Sequence, residues 1–192
     1  MGKDSISNSL FALAALGSLL VVIVFAFNWY SFLFALPSIA IIDWITILAL
    51  IFVAIGIIAL YRETGSKIPL IAVILLLILQ ILVILLQLGI LFPLLLTILD
   101  PSTANLYLSW IFWIFYLIIF LVIGYSIWMT RDEIGIIATL TGIIFMIWGV
   151  LYLLVGFLGY GQPVSIWTQI RFAGLIIAYL LAFIYFLKAL RS

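Results

Sequence analysis

Gln80 and Gln87 are the polar side chains that lie deepest within the long apolar stretches of this sequence. They are seven residues apart, so a helix places them on nearly the same face. A buried amide needs a hydrogen-bond partner, because an unpaired one carries a large desolvation cost in an apolar medium. We consider two interpretations of the pair: hydrogen bonds that join neighbouring helices, or a contact site for a small polar headgroup, a quinone carbonyl or a neutral solute.

Asp43 and Arg171 are the second candidate pair, because both fall at the outer ends of predicted membrane spans. Opposite charges at similar depth can meet as an ion pair, and two separately solvated interfacial charges are the alternative. The predicted spans carry no charge near their middle, where ionisable residues usually mark function. Ion-coupled transport is therefore disfavoured, since such transporters carry charged or ion-coordinating groups at that depth.

The sequence contains no histidine and no cysteine. These absences exclude disulfides, thiol redox chemistry, metal sites built on either residue and histidine-ligated haem. No carboxylate pair lies within a predicted span, and the serines and threonines have no evident base to activate them. The sequence therefore predicts no catalytic residue, no metal site and no cofactor, with bound lipid as the expected small-molecule contact.

Composition identifies the elements that position these residues. The chain has 192 residues, of which 70% are hydrophobic and 7% charged. A soluble domain is about half apolar and about one quarter charged. The apolar runs are long and continuous, which predicts an all-α integral membrane protein, with residues 1–192 forming a single transmembrane domain of six helices joined by very short loops. The predicted spans are residues 10–30, 40–61, 68–98, 106–129, 133–158 and 168–190.

The basic residues predict an orientation for this bundle. With both termini in the cytoplasm, only Arg171 falls on the outer side. The basic residues on the inner side are Lys3, Arg62, Lys67, Arg131, Lys188 and Arg191. This bias favours a multi-pass protein of the cell membrane, and the net charge of +1 gives no reason to expect nucleic acid as a partner.

Glycine recurs at every seventh position through the fifth predicted span, at Gly135, Gly142, Gly149 and Gly156. Small residues let helix backbones approach closely in lipid, and a seven-residue period favours a left-handed crossing. A second series of small residues follows in the sixth span, at Gly174, Ala178 and Ala182. We expect the glycine seam to pack against the sixth or second span, or against another protein.

The third predicted span, 68–98, is longer than a membrane crossing requires, so either it tilts strongly or its outer end leaves the membrane plane near Pro93. It contains Pro93, which removes one backbone hydrogen bond and is expected to kink the helix near that residue.

Two functions remain after these exclusions. The first choice is a non-catalytic structural or accessory subunit of a larger membrane complex, packing against lipid or quinone beside partner subunits. The alternative is a small membrane transporter for a neutral or lipophilic solute. Short loops and small-residue seams favour the first, and the two glutamines favour the second.

Overall fold

The computed structural model describes residues 5–34, 40–159 and 166–191. Of these described residues, 92% are helical and none forms a strand. The helices are α1 Ser5–Leu33, α2 Ala40–Thr64, α3 Ile68–Gln87, α4 Leu91–Leu96, α5 Pro101–Trp128, α6 Arg131–Ile134, α7 Ile136–Gly159 and α8 Ile166–Arg191. Six of them are long and apolar enough to span a membrane, which confirms the predicted all-α, six-helix membrane fold.

The six long helices form a closed ring in which each packs chiefly against two others. The order around the ring is α1, α2, α3, α5, α7 and α8, and α8 packs against α1 to close it. Large aromatic side chains fill much of the interior, including Phe11, Phe120, Phe145, Tyr179 and Phe186. The outer faces carry exposed isoleucine, leucine and aromatic side chains, as expected for helices that contact lipid.

The third predicted span is interrupted before Pro93, so the expectation of one helix over 68–98 is wrong. α3 ends at Gln87, and Gly89 adopts a left-handed conformation with φ of 69°. The Gly89 N–H donates to Leu86 O, and the Ile90 N–H donates to Leu85 O. This hydrogen-bond pattern is the Schellman motif, which ends a helix at a glycine. Pro93 lies inside the short α4 that follows.

The fifth predicted span is also divided, at Gly135. α6 ends at Ile134 and α7 begins at Ile136, with a φ of 80° at the glycine between them. Gly135 therefore forms a corner in the chain, and it does not belong to the helical seam that the sequence predicts. At the adjoining corner, Thr130 Oγ1 donates to Ile127 O and accepts a hydrogen bond of 2.9 Å from the buried Tyr185 hydroxyl.

Basic residues concentrate at one end of the bundle. We call the end where α1 begins and α8 finishes the terminal end, and the opposite end the far end. Among the described residues, those close to the terminal end are Arg62, Lys67, Arg131, Lys188 and Arg191. Arg171 lies in the second turn of α8, towards the far end. This distribution is the basis of the predicted orientation, which stays a prediction.

Candidate functional site

A half-open cavity of about 140 Å³ lies between four of the long helices. Its polar lining comes from Asn28 of α1, Thr46 of α2, Gln80 of α3 and Tyr116 of α5. Its apolar lining consists of Phe25, Ile47, Leu50 and Val83. Gln80 lies about 18 Å along α3 from Ile68, at 1.5 Å of rise per residue, so the cavity is well inside the span.

Gln80 is the buried polar residue of this site, with 5% of its surface exposed. It belongs to the face of α3 that also buries Ala72, Leu76 and Leu79, so helical periodicity directs its side chain into the bundle. Among the described residues, Gln80 Nε2 has no hydrogen-bond partner. An unpaired buried amide costs about 1–3 kcal/mol, which makes this nitrogen the strongest local indication of a missing partner.

The other polar lining residues define what the cavity can recognise. Thr46 Oγ1 donates to Ile42 O at 2.9 Å, so its hydroxyl presents only lone pairs to any further partner. Asn28 and Tyr116 are half-buried and each can donate and accept. No Asp, Glu, Lys or Arg occurs among the described lining residues. The arrangement suits a neutral molecule that hydrogen-bonds, and it contains no group that titrates near neutral pH.

Arg171 lies behind this cavity, separated from it by two tyrosines. The Tyr116 and Tyr152 ring centroids are 4.8 Å apart, and Arg171 Cζ is 5.1 Å from the centre of the Tyr152 ring. This is a cation–π arrangement, and Arg171 Nε is buried without a hydrogen-bond partner among the described residues. The side chain of Asp43, its predicted partner, lies outside the described residues, as does that of Gln87.

The helical glycines of the predicted seam contact α5. A Cβ atom placed on Gly142 would lie 2.6 Å from Gly124 O, and one on Gly149 would lie 2.9 Å from Phe120 Cβ. A Cβ atom on Gly156 would lie 2.6 Å from the Trp113 ring. The neighbour is thus the fourth predicted span, and the expected pairing with the sixth or second span is wrong.

The small residues of α8 have a different neighbour. Gly174 lies against the Trp148 ring of α7, so closely that a side chain there would overlap it. Ala178 and Ala182 are buried in the interior. On the outside of this helix pair an apolar groove of about 320 Å³ runs over Ala173 and Gly174. The α8 series therefore supports packing within the chain and also leaves one open apolar surface.

Sequence reasoning missed three of the four polar residues at the cavity. Asn28 was detectable in principle, because it interrupts the apolar run of the first span. Thr46 offers a weaker signal, since threonine is tolerated in a membrane helix through a bond to its own backbone, as observed here. Tyr116 offers none, because aromatic residues make up 16% of the chain.

Comparison of the chain with protein-family models, curated proteins and solved structures gives no match.

Proposed function

We propose that this protein is a small carrier of the cell membrane that takes a neutral solute into the cavity between α1, α2, α3 and α5. The observation that supports this proposal is the buried Gln80, which lines the cavity and whose amide nitrogen has no hydrogen-bond partner among the described residues. A few placed polar groups within an otherwise apolar pocket are typical of small-molecule sites.

The charges around the cavity favour a neutral solute over an ion. A cation would meet no carboxylate among the described lining residues, and it would approach the positive charge of Arg171 behind Tyr116 and Tyr152. Amide and hydroxyl groups bind neutral polar molecules without needing a counter-charge. None of these groups is a general base or an activated nucleophile, so we expect no catalysis at the cavity.

The glycine seam no longer favours the accessory-subunit function, because Gly142, Gly149 and Gly156 already contact α5. An accessory subunit remains the second candidate, supported by the open groove on the outer face of α7 and α8. Ala173 and Gly174 in that groove are residues of the type that lets a transmembrane helix of a partner approach closely.

Solute uptake into proteoliposomes tests the carrier proposal. The wild-type protein and the Gln80→Leu variant are reconstituted at equal density and assayed with a panel of neutral solutes, including glycerol, urea and short-chain amides. The expected result is uptake of at least one solute, reduced about tenfold in Gln80→Leu through the loss of one hydrogen bond to the solute. The Ile78→Leu variant changes a partly exposed residue on the same helix and serves as the matched control.

The outcome of purification separates the two candidates. A carrier is expected to purify in mild detergent as this chain alone, and uptake that is the same in wild type and Gln80→Leu would contradict the assignment of its site. An accessory subunit is expected to bring a constant set of other membrane proteins with it. Bulky substitution at Ala173, which lies in the outer groove, would then release those partners.

A further inference from the structure

The Gln80 Nε2 atom lacks a hydrogen-bond acceptor among the described residues. The Nε2 atom carries two N–H donors, and none of the described residues accepts from it. The threonine hydroxyl in the same cavity donates to Ile42 O and does not supply a further donor to a ligand. A ligand that satisfies Nε2 must therefore bring an oxygen or nitrogen lone pair to it.

The rest of the lining limits the remainder of such a ligand. Ile47, Leu50 and Val83 are aliphatic, and Phe25 and Tyr116 contribute aromatic rings. A polyol would place several hydroxyl groups against these apolar surfaces, where each unpaired hydroxyl is costly. A molecule with an accepting group and an apolar body meets both the amide and the apolar lining.

We infer that the cavity binds a neutral carbonyl compound, whose C=O oxygen accepts a hydrogen bond from Gln80 Nε2 while its apolar body contacts Phe25, Leu50 and Val83. This inference rests on the proposed carrier function and names the chemical class of its solute. Tyr116 and Asn28 are the additional donors available to a second oxygen on the same molecule.

A pair of probes of matched shape tests the carbonyl directly. Menadione is a naphthoquinone with two carbonyl oxygens and no donor, and 2-methylnaphthalene has the same fused rings and methyl group without the oxygens. The chain has no cysteine, so menadione cannot form a thiol adduct with it. Binding of each probe is measured on the full chain in lipid nanodiscs, by thermal shift and by displacement, with free probe concentrations corrected for partition into lipid.

The expected result is a menadione dissociation constant about tenfold lower than that of 2-methylnaphthalene in the wild type, which is the usual effect of one hydrogen bond to a buried amide. In Gln80→Leu the ratio falls to about one. Gln80→Met removes the same donors with an unbranched side chain and is expected to give the same loss, which excludes an effect of side-chain shape. Ile78→Leu keeps the wild-type ratio.

The outcomes separate this inference from the proposed function. Equal affinity for the two probes in the wild type, or a preference that survives in both Gln80 variants, would overturn the assignment of a carbonyl ligand. If Gln80-dependent uptake of another neutral solute were still observed, the carrier function would stand with a different solute class. A Gln80-dependent preference for menadione without uptake of any solute would support the binding site and overturn the carrier function.

Discussion

The α5–α7 pair and the environment of α3 represent two ways of packing a helix in this bundle. Between α5 and α7, glycines from both helices bring the backbones together, and a Cβ atom on either Gly124 or Gly142 would lie 2.6 Å from the carbonyl oxygen of the other. α3 contains no glycine and has Ala72 as its smallest residue. It approaches its neighbours closely at fewer positions than α5 and α7 approach each other, and the cavity lies at this side of the ring.

The difference in packing between the α5–α7 contact and the surroundings of α3 explains where this protein has space for a ligand. In lipid the hydrophobic effect does not drive helices together, so close backbone contact and hydrogen bonds provide much of the association. The α5–α7 contact supplies that close packing and leaves no room between the backbones. The α3 region packs through longer side chains, and the space that remains is bordered by an amide that lacks a partner.

The largest effect is expected from adding a side chain at the glycine contact between α5 and α7. In Gly142→Ala the new methyl group would meet backbone oxygen, which cannot rotate away, so the helices must separate. We expect a loss of about 2 kcal/mol or more in the free energy of unfolding, as for other overpacked interiors. Thermal or denaturant unfolding in detergent measures it.

Leu140→Ala provides the control for this prediction, because Leu140 is 45% exposed on the same helix and should change stability little. If Gly142→Ala were as stable as Leu140→Ala, the contrast between the two regions would not reflect glycine packing.

A smaller effect of opposite sign is expected at α3. Replacing Gln80 by Leu removes a buried donor that has no protein partner, so the empty protein should gain about 1 kcal/mol of stability while uptake falls. The free energy of unfolding of wild type, Gln80→Leu and the control Ile78→Leu, measured without solute, tests this gain. A loss of stability in Gln80→Leu would mean that the amide has a structural partner, and the cavity would then be an ordinary packing defect.

The smallest effect is expected at the start of α5, the helix that borders both regions. Asp100 caps this helix, and hydrogen bonds from Ser102 and Thr103 hold the pKa of its carboxyl below the ordinary value of 3.8. Because the pKa is lowered in the folded protein, the ionised cap contributes its full stability at pH values above 3.8. This stability is lost as the pH falls below 3.8 towards the lowered pKa. The melting temperature of Asp100→Ala should therefore lie slightly below that of wild type at pH 7.

The pH dependence provides the check on this cap. The difference in melting temperature between wild type and Asp100→Ala is expected to narrow as the pH is lowered below about 4, where the carboxyl begins to protonate in the unfolded chain. A difference that stays constant from pH 7 to pH 3 would show that the charge of Asp100 does not contribute to the cap.

The candidate site shows which features were within reach of the sequence. Gln80 was identified because a deep amide in an apolar run is conspicuous in the sequence alone. The spacing of Gly135 matches that of the seam glycines and predicts a place in the seam, but its φ of 80° puts it at a corner of the chain. Spacing along the chain does not report backbone conformation. For the same reason the sequence points to a kink at Pro93, whereas the structure ends α3 just before Gly89.

The sequence by itself determined that this is an all-α membrane protein with six spans, because the transfer of about 20 apolar residues into lipid depends on local composition alone. Only the tertiary structure decided that the seam meets α5 and that Asn28, Thr46, Gln80 and Tyr116 surround one cavity. Those residues come from four separate helices, and their meeting depends on the order of helices around the ring and on the face each presents. Both are properties of long-range packing, which no local pattern of hydropathy or spacing contains.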